Sequence, residues 1–310
     1  MRKAPVKGSK MALAVLMFTS VAGTEEDPNV RIDDPVGPRL FRWGDGKYRV
    51  GGVPMTHPVF RRMIERSDPG AYGFNVVRLL YMDDVVRREA ADGLDQLVVL
   101  GAGYDTRAYR MGGELDGARV FEVDLPAMSR DKRQRLQKAI GSIPDEVRYV
   151  EVDFNRQDVF ERLAEHGYDE SARTLFVLSG VSMYLPESAV LKLFSQVASQ
   201  SARRASILFD YVYDDLLTSP ERYTGAGQFI ARAAKAGEEL RYGISMEGAG
   251  AVLDRCGLRL ASQYDMRELA DRHLRRADGT CLPGPYEFAA VAHAVVGPLQ
   301  DHGNESGERT

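Results

Sequence analysis

Cysteine is nearly absent from this chain of 310 residues. The two present, Cys256 and Cys281, lie far apart and form no CxxC pair. That spacing excludes a disulfide framework and argues against a zinc site. The five histidines, at 57, 166, 273, 293 and 302, include no HxH or HxxxH pair, so no metal ligand set is expected. Charge of one sign is also lacking. Lys and Arg number 41 against 45 Asp and Glu, a net charge of −4, which gives no basic signature for nucleic acid. No apolar run approaches the roughly 18 residues a membrane-spanning helix needs, so no membrane partner is expected. With 44% apolar residues, the chain can bury the core of one large α/β domain.

What is present concentrates in residues 97–124, LVVLGAGYDTRAYRMGGELDGARVFEVD. Four apolar residues, 97–100, read as a buried parallel strand. They run into Gly101-Ala102-Gly103, where two glycines let backbone turn sharply and approach a ligand without a Cβ between. Asp105 and Thr106 suit a helix start, with Tyr109 and Met111 on its inner face. A second strand over 118–123 ends in Asp124, 21 residues after Gly103. This is a βαβ nucleotide pattern in which an acid can take both hydroxyls of a ribose. A dinucleotide fingerprint would require Gly at 106, where Thr106 stands. The shortened turn fits S-adenosylmethionine, and Arg107 is placed to meet the carboxylate of its amino-acid tail as a planar fork.

LGAGYDTRAYR, followed by FEVDLP at 121–126, YVEVDF at 149–154 and LFVLSGVSMYLP at 175–186, resembles the leucine carboxyl methyltransferase family. That family includes bacterial S-adenosylmethionine-dependent O-methyltransferases of natural-product pathways. The resemblance implies a class I methyltransferase sheet of Rossmann-like type, mostly parallel with one antiparallel strand near the C-terminus, and a helical lid. It implies cofactor contacts from Arg78, Gly101, Ala102, Gly103, Arg107, Asp124, Leu125, Asp153, Phe154 and Ser179. Arg78 aligns with an arginine that holds the cofactor carboxylate. Asp153 would accept the adenine amine and Phe154 would cover the ring. Ser179 departs from the family's usual Glu-Gly and cannot supply a charge. Tyr184 matches a tyrosine near the reacting centre. His57 and Tyr211 are further candidate proton acceptors.

The remaining expectations concern organisation. One domain is expected over 1–299 with a helical cap at 9–92 and a disordered tail at 300–310. The basic start, the apolar run 11–18 and Val21-Ala22-Gly23 imitate a signal peptide. A helix from near Ser9, with Met11, Val15 and Phe18 on one face, is the preferred reading, in keeping with a cytoplasmic cofactor. The Gly- and Pro-rich stretch 24–54 should pack over the cofactor site, anchored by Phe41 and Trp43. Residues 55–92 look helical, with Asp83 and Asp84 capping or charging a helix face. The basic run RDKRQR in a helix at 126–140 should face solvent. The insertion 211–243, carrying Tyr211, Tyr213, Tyr223 and Phe229, should form a lid over an acceptor pocket. The acceptor is a small molecule. O-methylation of a secondary metabolite leads, with N- or C-methylation of an indole-type aromatic, methylation of a protein C-terminus and non-catalytic cofactor binding as alternatives.

Overall fold

The computed structural model describes residues 9–202 and 204–297, so the expected tail at 300–310 lies outside the described residues. The chain begins with α1 (Lys10–Ala22), capped by the Ser9 hydroxyl, which accepts the Ala12 N–H at 3.0 Å. A stretch of 3₁₀ turns leads to α2 (His57–Ser67) and the long α3 (Ala71–Ala91). Then strands and helices alternate: β1 (Gln96–Leu100), α4 (Arg107–Arg110), β2 (Arg119–Asp124), α5 (Pro126–Ile140), β3 (Val147–Glu151), α6 (Val159–Glu165) and β4 (Thr174–Leu178). They continue through α7 (Glu187–Ser199), β5 (Ser206–Val212), α8 (Asp215–Thr218), α9 (Ala226–Ala236), α10 (Ala249–Arg255), β6 (Leu258–Asp265), α11 (Met266–His273) and β7 (Ala289–Val296).

The strands form one sheet in the order β3-β2-β1-β4-β5-β7-β6. Pairings from β3 through β5 are parallel, and β7 runs antiparallel to both β5 and β6, as expected from the sequence. Helices cover both faces. Central strands buried on two sides are mostly apolar, and β1, β4 and β5 carry no exposed residue; their polar exceptions, Gln96, Thr174, Ser206 and Asp210, are buried too. One core packs α1, α3 and α11 on one face. The other packs α6, α7 and α10 on the opposite face. The chain order reverses between β1 and β4, so a crevice opens beyond their carboxyl ends.

Several local expectations are corrected. Trp43 is 82% exposed and anchors nothing; its ring instead lies under Arg49, with the guanidinium carbon 3.1 Å from the centroid. Phe41 does pack into the core beside α1 and α5. The basic run of α5 is not all solvent-facing. Lys132 is buried against Glu122 at 2.8 Å, and Arg135 is buried against Asp45 and Asp131. Asp83 caps nothing; it is buried beneath Arg107 and Arg110. Tyr211 belongs to β5, so the segment beyond the sheet begins after Val212. The run after Thr106 gives only the single turn of α4, because Met111 leaves helical geometry and Gly112 and Gly113 follow.

Candidate functional site

The glycine turn hooks onto β2: the N–H groups of Gly101 and Ala102 both donate to the Val123 carbonyl, at 2.8 and 3.1 Å. Gly101 and Gly103 have φ of +69° and +49°, which residues with a Cβ seldom adopt. A Cβ on Gly101 would also sit 2.5 Å from a methyl of Val181. Asp124 closes the turn. Its Oδ2 accepts the Gly103 N–H at 2.6 Å and its Oδ1 accepts the Leu125 N–H at 2.7 Å. Burial raises the Asp124 pKa, and these two backbone donors oppose the rise without cancelling it. A carboxylate oxygen has more than one acceptor position, so both can still receive a hydroxyl.

This turn forms one wall of a cavity of about 670 Å³. Of the expected cofactor residues, Arg78, Gly101, Ala102, Gly103, Arg107, Asp124, Leu125, Asp153, Phe154 and Ser179 all line it. Leu125 is 48% exposed and, with Phe154, presents apolar surface suited to a flat ring. Asp153, two residues beyond the end of β3, accepts the Asn155 N–H at 3.0 Å.

The two arginines are held more tightly than the sequence suggests. Arg107, fully buried, donates from Nε to Asp83 at 2.7 Å and from Nη1 to Asp105, leaving only Nη2 without a partner. The expected planar fork toward a ligand carboxylate is therefore corrected to one free amino group, Nη2, with its N–H donors. Arg78 donates to Asp210 at 2.6 Å and to Asn75 at 3.2 Å. Asp210, inside β5, also accepts the Gly180 N–H at 2.6 Å. Thus Ser179 leaves no charge at its own position, and the buried carboxylate beside it comes from the next strand.

The proposed proton acceptors separate. Tyr184 lines the cavity; burial first, and the Glu238 charge second, push its hydroxyl pKa up. His57 does not line it. Its Nε2 lies 3.2 Å from the carbonyls of Val50 and Gly51, and burial holds its pKa below 6.5. Tyr211 is 1% exposed and packs between Phe209 and Tyr213 on the opposite core. Both are corrected as candidates, because neither reaches the cavity. None of residues 24–54 lines it either. That wall is supplied by α1, and the 3₁₀ stretch packs outside it.

Sequence reasoning placed Phe229 in a lid over an acceptor pocket but missed the residues it meets at the far end of the cavity. There Phe18, Phe74, Phe229 and Tyr286 meet, with Phe74 centroids 6.1 Å from Phe229 and 5.6 Å from Tyr286. Phe229, Arg232 and Ala236 share one face of α9 at helical spacing, a signal that was available. Gly237 then ends the helix at φ +80°, and Glu238 follows into the cavity wall. Its carboxylate accepts the Ser9 hydroxyl at 2.5 Å, a contact between residues 229 apart that no local pattern reveals.

Together the sheet order, the switch-point cavity and the Gly-x-Gly turn closed by an acid define a class I S-adenosylmethionine-dependent methyltransferase architecture. Residues 14–198 match the family model described as leucine carboxyl methyltransferase, and the chain belongs to that family. The Bacillus subtilis (strain 168) protein YktD, whose name ascribes S-adenosyl-L-methionine-dependent methyltransferase activity to it, is 29% identical over 63% of this chain and 64% of its own length. A Mycolicibacterium smegmatis protein with the same ascription is 32% identical over 71% of this chain and 70% of its own. The match to a Streptomyces coelicolor relative, at 39% identity, spans 41% of this chain and only 44% of that protein. Among solved structures, one from Thermobifida fusca YX, ascribed to a methyltransferase, superposes with a TM-score of 0.55 at 16% identity, covering 87% of this chain and 98% of its own. A DUF574 family protein from Streptomyces avermitilis gives 0.52 at 13% identity, covering 91% and 97%. These two support the fold.

Proposed function

We propose that this protein is an S-adenosylmethionine-dependent methyltransferase that methylates an oxygen, hydroxyl or carboxylate, of a small secondary metabolite in the cytoplasm. One observation carries the reading. A single cavity joins the Gly101–Gly103 turn and Asp124 at one end to an aromatic chamber at the other. The residues fit the cofactor. Among the described residues, Asp124 has backbone partners only and can take a diol, and the buried Arg107 Nη2 is an unpartnered donor. Bound there, S-adenosylmethionine supplies an activated sulfonium methyl.

The chain's own task is then positioning, which converts a bimolecular encounter into an oriented one. Asp124 holds the sugar hydroxyls, Leu125 and Phe154 cover the base, and Asp153 receives its amine. Arg78, fixed by Asp210 and Asn75, presents positive charge to the tail carboxylate. Tyr184 lines the cavity, and α9 acts as the lid that excludes water. No metal ion enters the proposed transfer.

A second reading, methylation of nitrogen or carbon in an indole-type ring, is favoured by the aromatic walls Phe18, Phe74, Phe229 and Tyr286. Calorimetric titration with S-adenosylmethionine and NAD tests the cofactor. Binding of the first alone is expected, and its failure with folded protein would remove the enzymatic reading. Mass spectrometry of products from phenol, carboxylate and indole acceptors then separates oxygen from ring methylation.

A further inference from the structure

The stretch between α1 and α3 supplies no wall of the cavity, yet it carries most of the exposed apolar surface. Of the seven large apolar side chains that stand exposed among the described residues, five lie here: Trp43, Val53, Met55, Val59 and Met63. Single exposed apolar residues are ordinary, but several on one helix face are not. Phe60 and Ile64 turn inward to the core. Positions 55, 59 and 63, four apart, therefore follow the outer side of α2 and the turn before it. Met55, Val59 and Met63 are 93, 71 and 54% exposed. Arg62 and Arg66 stand exposed beside them, three residues on from Val59 and Met63. The turn Trp43–Gly52 packs against α2, and His57 at the start of the helix lies 3.2 Å from its Val50 and Gly51 carbonyls.

Charge gathers in the same stretch. Residues 38–67 hold seven Lys and Arg against two acids, in a chain of net charge −4. Arg42 and Arg61 are taken by Asp131 and Glu25. Among the described residues, Arg39, Lys47, Arg49, Arg62 and Arg66 meet no carboxylate.

We propose that the outer face of α2 seats the protein on an anionic lipid surface. Met55, Val59 and Met63 enter the headgroup region, and the arginines beside them meet lipid phosphates. An apolar stripe flanked by cations is the pattern of a helix lying in a membrane interface. Among the described residues no helix is long and apolar enough to cross a membrane, so the contact is with the surface alone. A second copy of the chain fits this face poorly, since the pairing would set cations against cations. A protein partner is disfavoured by shape. Protein anchors pair with pockets, and neither described cavity is lined by Trp43, Met55, Val59 or Met63. Each unpaired cation near an anionic leaflet adds to the attraction.

The test is co-sedimentation of the full chain with vesicles of phosphatidylcholine alone, or with about one-third phosphatidylglycerol, in about 0.1 M salt. Binding to the anionic vesicles should be at least roughly tenfold stronger, and should weaken at least about threefold in 0.5 M salt. The triple variant Met55→Ser, Val59→Ser, Met63→Ser and, separately, the pair Arg62→Gln, Arg66→Gln should each lower binding at least about fivefold. Both sets change exposed side chains, so each should keep the wild-type urea midpoint. No preference for the anionic vesicles, or binding unchanged in either variant, overturns the proposal. Capture by polyglutamate without binding to the vesicles overturns it in favour of an acidic protein partner.

Discussion

Asp124 shows how one side chain ties backbone to ligand. Its two oxygens each hold one backbone N–H, which fixes the carboxylate against the turn before any ligand arrives. Asp124→Ala should weaken S-adenosylhomocysteine binding by about 1–3 kcal/mol, the scale of a buried acceptor lost. Calorimetry at constant pH reads this directly, and unchanged affinity would sink the ribose assignment. Gly180 makes a second residue-scale argument. At φ +69° a side chain is strained, and its Cβ would lie 3.1 Å from Arg78 Nη1. Gly180→Ala should therefore lower stability by about 1–3 kcal/mol in urea unfolding. Gly112→Ala, with open space around it, should change it by under about 0.5 kcal/mol.

Elements were legible where the signal is local. The strands expected at 97–100 and 118–123 are found as Gln96–Leu100 and Arg119–Asp124, and the helix expected at 126–140 as Pro126–Ile140, because apolar runs and Pro at a first helical turn act within a few residues. The charged layer beneath the cavity was not legible. Asp83 meets Arg107 across 24 residues of sequence and Arg78 meets Asp210 across 132, and neither separation leaves a pattern. The same limit hid the inner side of α5. Its Lys132 reads as one more basic residue in RDKRQR, yet it lies 2.8 Å from Glu122, whose pKa burial raises against the pull of that lysine. Removing one partner strands the other charge. Lys132→Met should cost about 3–5 kcal/mol in urea unfolding, and adding Glu122→Leu should restore much of it. A double variant no better than the single would reject the stranded charge as the cause.

For the molecule as a whole, pH acts through its histidines. Burial holds His57, His273 and His293 below their ordinary value of 6.5. Each prefers to be neutral in the fold, so its contribution is present above 6.5 and is lost as pH falls through the lower folded value. The raised carboxyls of Glu122, Asp124 and Glu238 act in the opposite sense, favouring the fold as they protonate. A difference measurement separates the two. From pH 7 to pH 5 the wild type should lose more Tm than His57→Gln, because the variant has one fewer group to protonate on unfolding. Equal losses would refute the His57 contribution. The Ser9–Glu238 bond has a consequence in time as well as in space. It joins residues 229 apart, and the aromatic chamber is completed only by Tyr286. During synthesis the helix that walls the cavity leaves the ribosome well before Glu238 and Tyr286, and it must wait for them before its partners exist. Ligand binding would then come among the last properties a nascent chain acquires, and so serve as a sensitive indicator of finished folding.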